Sequence, residues 1–279
     1  MARHDPNHAR LLRIPQMRGL EILQARFVSY SFDRHTHDAF AIGLIDEGAA
    51  TLWCRGSTIA VPRGAVLFVP PGEVHTGGRH RDAAFVGYRL VYVNADWLAI
   101  AAIDSRAPLM SHDLVVQDPV LRSELARLCA SLLNPSCSNL EREERLVAVL
   151  GRLAADRDAQ PPARAAPAAA SRARDYLHAH AAESVSLLTL AKVIGHSPSH
   201  LIRVFRSSFG FTPHAYQTQR RIEIAKDLLA RGRAPAAVAA EAGFADQSHL
   251  NLHFKRRVGV TPAAYRHAHF FQDDESAET

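Results

Sequence analysis

Cysteine is scarce in this chain of 279 residues: Cys54, Cys129 and Cys137 are its three, and no two form a CxxC pair. An odd count at that spacing signals neither a disulfide framework nor a zinc finger, and all three are read as inert apolar fillers. Long hydrophobic runs are also missing. Nothing approaches the ~20 residues of a membrane span, and the opening MARHDPNHAR is too polar for a signal peptide. A cytoplasmic location with no membrane partner is expected. With 47% hydrophobic and 22% charged residues, neither a disordered nor a fibrous chain fits. The length suits two domains of ~100–200 residues each.

Acidic residues are thin in one region. Residues 172–270 hold 14 Lys and Arg against 6 Asp and Glu, whereas residues 1–171 hold 19 against 18 and the tail 271–279 is purely acidic. A basic segment of about a hundred residues suggests a polyanionic partner. The first segment reads as β. Short apolar runs at Ala39–Ile45, Ala65–Val69 and Ala84–Val93 are separated by turn signals at Glu47-Gly48, Arg55-Gly56, Pro62-Arg63-Gly64, Pro70-Pro71-Gly72 and Gly77-Gly78. Strands so spaced suggest a sandwich or barrel. From about Asp118 the period becomes helical, with Leu121, Leu125, Leu128 and Leu132 on one face, then Leu146, Val149, Leu150 and Leu153. This helical pair, residues 118–156, is read as a dimerisation element, since the stripes can cover only so much of the barrel. Residues 159–171 hold three prolines and no patterned apolar face, so they read as a linker.

The basic segment contains a repeat. Shifted by 49 residues, Ser199–Tyr216 falls on Ser248–Tyr265 with nine of eighteen positions identical. In each copy a helix ends at a glycine (Gly210, Gly259), and the next opens with Thr-Pro (212–213, 261–262), an N-cap followed by proline at N1. Short Ala-rich helices, Leu187–Ile194 and Pro235–Ala242, precede the copies and turn at Gly195 and Gly243. Two helices joined by a glycine turn form a helix-turn-helix, here twice. At 100° per residue the second helix of each unit buries Leu201 and Phe205, or Leu250 and Phe254. The opposite face presents Ser199, Ile202, Arg203 and Arg206 in one copy, and Gln247, Ser248, Asn251 and Lys255 in the other. Arg pairs with guanine, Asn and Gln pair with adenine, and Ser or Lys meets base or phosphate, so these eight are the candidate DNA contacts. The helix Pro213–Ala230 is the expected rigid spacer.

Residues 186–266 resemble the DNA-binding domain of the AraC/XylS family of bacterial transcription regulators. LAKVIGHSPSHLIRVFR, AVAAEAGFADQSHLNLHFKRRVGVTP and Ala264-Tyr265-Arg266 carry the likeness. One departure is Leu252, where the family commonly has a basic residue; it weakens base readout by the second unit.

His35-Thr36-His37 would set two imidazoles on one face of a strand, with His75 available from a later strand to complete a metal site. His35-x-His37 and Gly64-x5-Pro70-x-Gly72-x2-His75 resemble the two motifs of cupin barrels, but Ala41 and Ile42 occupy the places where the first motif needs glutamate. The expectation is therefore a barrel without metal or other cofactor, its histidines serving packing or effector contact. Regulators of the resembled family often carry such a barrel for effector binding and dimerisation. His37, Trp53, His75 and Tyr88 are the candidate effector contacts, with Arg89 as a carboxylate anchor.

The expected architecture is α+β in two domains: a cupin-like β-barrel followed by helices (1–158), the linker 159–171, an all-α double helix-turn-helix domain (172–270) and an acidic tail (271–279). The expected function is a non-enzymatic, sequence-specific transcription regulator controlled by a small-molecule effector. Promoter DNA and an identical chain are its expected partners, with RNA polymerase added if it activates, the direction toward which the resemblance tilts. The competing readings are a metal-dependent cupin enzyme fused to a DNA-binding domain, and an architectural DNA-binding protein with no effector.

Overall fold

The computed structural model describes residues 7–14, 17–101, 113–155 and 167–268. Eight antiparallel strands come first: β1 (His8–Arg13), β2 (Leu20–Phe27), β3 (Phe40–Cys54), β4 (Ser57–Pro62), β5 (Val66–Val69), β6 (His75–Arg79), β7 (Val86–Val93) and β8 (Val115–Val116). One sheet runs β1-β2-β7-β3-β5-β8, and β4 and β6 flank the far half of β3. The long β3 thus belongs to two sheets. Its first half pairs with β5 and β7, its second half with β4 and β6, and the β3–β7 register slips between Ile45 and Glu47. A bulge bends a strand, so Glu47-Gly48 is where β3 crosses between sheets and not the expected turn. Gly77-Gly78 likewise lies inside β6, with Ser31 of a neighbouring segment close against Gly78.

The bent sheets enclose Leu23, Ala25, Phe27, Ile45, Leu52, Val61 and Val86. Their other face, with Ile22, Ile42, Leu44, Phe68, Val91 and Val93, is covered by α1 (Ala95–Ala101), α2 (Pro119–Leu133) and α3 (Asn139–Ala155). Asp118 caps α2 by accepting from the amides of Val120 and Leu121 at 2.8 and 3.2 Å. All eight residues of the two apolar stripes are buried in this one cluster. Each buried leucine contributes ~1.5–3 kcal/mol, and truncating Leu125 to alanine should cost about 2–5 kcal/mol. The stripes are spent inside the chain. The sheet of the same chain covers them, while Val120 on α2 and Leu140 and Val147 on α3 are exposed.

The remainder is helical: α4 (Ala168–Ala179), α5 (Leu187–Ile194), α6 (Pro198–Phe209), α7 (Pro213–Ala230), α8 (Pro235–Glu241), α9 (Gln247–Val258) and α10 (Pro262–Arg266). Helix α4 begins inside the segment read as linker; Ala170 and Ala173 on it are fully buried, Ala173 in the core of the first unit. Of the expected linker, 159–166 lies outside the described residues, as does the tail 271–279. Thr212 and Thr261 each accept from the amide three residues on, so both Thr-Pro steps are N-caps. The first unit has its own core around Leu201 and Phe205. The second shares a core with the strands, which joins Leu11 and Leu23 to Ile222, Leu229, Leu250 and Phe254.

Candidate DNA interface and ligand cavity

Ser197 caps α6 at the amide of His200, and Asp246 caps α9 at the amide of His249. Both helices bury the expected face. Ser199, Arg203, Arg206, Gln247, Ser248 and Lys255 are exposed, and Ile202 and Asn251 are half-buried beside them. Arg203 lies 3.1 Å from His200 Nδ1, which steadies its guanidinium one turn from the helix start. Leu252 is 49% exposed on the same face of α9, an apolar group presented to water where a cation would grip phosphate.

The segment between β2 and β3 meets the C-terminal ends of both recognition helices. The Tyr30 hydroxyl donates to the carbonyl of Lys255, and the Asp33 amide donates to that of Arg256 at 3.1 Å. Arg34 donates to the carbonyl of Gly210 at 3.4 Å. From α7, Gln219 Nε2 donates to the carbonyl of Thr36 at 2.7 Å. The last carbonyls of a helix have no intrahelical partner, so this segment supplies donors that the two helices need.

The same segment carries His35 and His37. Neither lies in a regular strand: His35 and His75 exchange both amide–carbonyl bonds at 3.0 and 3.1 Å as an isolated bridge, and the carbonyl of His37 accepts from Gly72 at 2.9 Å. Alternation along this extended stretch still brings three buried imidazoles together, with ring centroids 4.3, 4.9 and 6.1 Å apart. Each Nδ1 donates to a main-chain carbonyl, His35 to Asp33 (2.8 Å), His37 to Ala39 (2.7 Å) and His75 to Glu73 (2.9 Å). Burial holds all three imidazoles below the ordinary histidine range, so they are neutral near pH 7 with the proton on Nδ1.

A cavity of about 650 Å³ lies between the mouth of the β domain and α7, with Arg13, Glu21, His35, His37 and Tyr92 on one wall and Gln219, Glu223, Lys226 and Tyr265 on the other. Glu21 is the hub of the charges there. It accepts from Arg13 at 2.8 Å and from the Tyr265 hydroxyl at 3.1 Å, and Arg13 stacks over the Tyr265 ring at 4.0 Å. Burial alone would raise the Glu21 carboxyl, but Lys226 and Arg13 outweigh it and hold it below the usual range. Inside the β domain a second, apolar cavity of about 70 Å³ is lined by Phe27, Phe32, His75, Tyr88 and Leu90.

Of the expected effector contacts, His37 borders the larger cavity, and His75 and Tyr88 border the smaller one. Two lie outside both. Trp53 alternates with the inward Leu52 and Cys54, stacks under Arg34 at 3.9 Å, and borders a further cavity of about 650 Å³ that Arg206, Tyr216 and Arg220 close from the helical side. Arg89 alternates with Tyr88, faces α2, and is already bound by both oxygens of Asp46 at 2.6 and 2.8 Å, so no ligand carboxylate meets it in either cavity. The sequence reading missed Arg13, Glu21, Lys226 and Tyr265. A signal was present, for Lys226 falls at i+4 from Ile222 and beside Leu229 on the apolar stripe of α7. Cys54 and Cys129 are buried fillers whose thiols burial pushes up to about 12.

Paired helix-turn-helix units docked on a β domain with an internal cavity define a DNA-binding protein with a ligand-binding module. Residues 19–150 match the AraC-like ligand binding domain, and residues 190–268 match a helix-turn-helix domain. The chain is 29% identical over 251 residues to the uncharacterized HTH-type transcriptional regulator YbfI of Bacillus subtilis, covering 88% of this chain and 90% of YbfI. It is 27% identical over 238 residues to the arabinose operon regulatory protein of Salmonella typhimurium, covering 81% and 83%. The fold is shared with ToxT from Vibrio cholerae bound to an unsaturated fatty acid, at a TM-score of 0.54 and 12% identity over 95% of this chain and 97% of ToxT. The chain belongs to the AraC family and is a DNA-binding transcription regulator with an N-terminal ligand-binding domain. Among the described residues no helix is long and apolar enough to cross a membrane.

Proposed function

We propose that the protein is a cytoplasmic, non-enzymatic regulator that binds promoter DNA through the eight residues named on α6 and α9, under control of a small molecule held between its β domain and α7. The observation that carries the second half is the shared cavity. Ligand pockets measure ~300–1,000 Å³, a range that excludes the 70 Å³ interior cavity and contains two interdomain cavities of about 650 Å³ each; of these, the one bordered by His37, Glu21 and Lys226 is preferred to the one bordered by Trp53 and Arg206 because it takes in the buried histidines. His37, and His75 behind it, serve the effector site. Activation through RNA polymerase and pairing with a second chain through the outer face of α3 complete the reading.

Helix α7 has 18 residues, ~27 Å at 1.5 Å per residue. With the width of the two units at its ends it matches the ~34 Å between successive major grooves on one face of DNA. One chain should therefore contact two adjacent groove segments in an asymmetric site, and the segment under α9 should tolerate base changes better because Leu252 replaces a cation. Footprinting a fragment of residues 167–279 on a bound promoter tests this. Two protected segments about 10 base pairs apart support it; one segment alone, or strict twofold symmetry, overturns it.

A further inference from the structure

We propose that His35, His37 and His75 form a binding site for one divalent transition-metal ion, ligated through their three Nε2 atoms. The ligand atoms that the three residues offer lie within 4.8 Å of one another. With each Nδ1 committed to a main-chain carbonyl, the atom each ring has left is Nε2. That arrangement, one ring nitrogen held by a carbonyl and the other bare, is the one that orients metal-binding histidines. A tetrahedral ion with bonds of about 2.0–2.1 Å sets its ligand nitrogens ~3.3 Å apart, so binding would draw these rings closer together than they stand here.

Packing does not account for the cluster. His37 Nε2 is buried without a hydrogen-bond partner, an arrangement that costs stability unless something binds there. The backbone also fixes all three rings from outside, through the His35–His75 bridge and the Gly72–His37 bond. Three neutral imidazoles select borderline ions such as Zn²⁺, Co²⁺, Ni²⁺ or Fe²⁺, and not Ca²⁺ or Mg²⁺, which require oxygen. Ala41 and Ile42, where a cupin would place a carboxylate, are buried apolar residues. The fourth coordination position is then left to water or another oxygen donor from the cavity that His35 and His37 border. Lys226 and Arg257 nearby oppose the ion's charge and favour an anionic donor there.

The test is a Co²⁺ titration of the full chain, free of any affinity tag and treated first with a chelator. One equivalent should bind with micromolar or tighter affinity and produce the visible absorption bands of a four- or five-coordinate site. His37→Ala and His75→Ala should each weaken binding by more than the roughly 10–100-fold that loss of an outer partner costs. His196→Ala/His200→Ala, which removes a pair of rings 4.9 Å apart in the first helix-turn-helix unit, should leave it unchanged. Should a variant fail to fold, nitrogen-resolved NMR of the wild type with Zn²⁺ decides, because three Nε2 signals must move together. No stoichiometric Co²⁺, or uptake unaffected by loss of His37 or His75, overturns the proposal. None of these readouts involves DNA, so the result stands apart from the regulatory reading.

Discussion

Gly210 and Gly259, 49 residues apart at matching places in the repeat, both end a recognition helix in the left-handed conformation and both abut the β domain. A Cβ on Gly210 would meet Val74 at 3.1 Å, and one on Gly259 would meet Phe32 at 3.2 Å. Their φ angles of +71° and +86° are cheap only for glycine. Gly195, at +79°, has nothing within 4 Å. Gly195→Ala should therefore lose about 1 kcal/mol from backbone strain alone, and Gly259→Ala should lose about 1 kcal/mol more by displacing Phe32. Denaturant unfolding of the two variants compares them, and equal losses would show that the Phe32 contact is not felt.

In the proposed interface Arg203 is expected to read a base, because it stands at the centre of the exposed face of α6. Arg203→Ala should cost about 1–3 kcal/mol on the cognate site and relax preference at one position. Lys255→Ala should weaken all sequences alike and lower the salt slope by about one. Equal loss on cognate and random DNA for Arg203→Ala would refute the assignment.

Glu21 balances two cations at the domain boundary, so Glu21→Gln leaves Arg13 and Lys226 uncompensated. Breaking such a buried network by removing one partner should cost about 3–5 kcal/mol. The folded carboxyl sits below its ordinary value, so its contribution is complete above about pH 4.5 and disappears as pH falls through the folded value. The stability difference between wild type and Glu21→Gln should accordingly shrink under acid. A difference that stays constant from pH 7 to pH 3 would argue against the charge network.

His253 on α9 is pushed down to about 4 by burial, then by Arg257 and His249. The unfolded chain takes up this proton near pH 6.5 and the folded chain does not, so stability is lost as pH falls from about 6.5 toward 4. His253→Gln removes that proton and should flatten the fall in Tm between pH 7 and pH 5. Parallel curves for the two proteins would exclude His253 as a contributor.

Residues 187–266 were legible because their signals are local: a glycine after each helix, Thr-Pro before the next, and an internal repeat that confirms the reading. The β domain was harder. HTGGR, which forms β6, carries no apolar signal, since its glycines admit a close neighbour. LEILQARF, which forms β2, alternates only in part, since Ile22 and Leu23 are adjacent and both buried. Which face of a strand looks inward depends on a parity that the bulge at Glu47 resets, and Arg89 falls on the face toward α2. The leucine stripes of α2 and α3 could be read as apolar faces, but not that the sheet of the same chain would cover them. Arg13, Glu21, Lys226 and Tyr265 meet from four separate elements, and no spacing along the chain encodes that meeting.

Helix α7 both joins the two helix-turn-helix units and forms a wall of the cavity. A rigid rod in that position is a lever. Tilting a helix of ~27 Å by about 5° carries one end roughly 2 Å, comparable with helix shifts that propagate through packed interfaces. On the proposed reading, a molecule that presses on Gln219, Glu223 or Lys226 would alter the phase between the two recognition helices relative to the DNA pitch, while leaving the shape of each unit as it was.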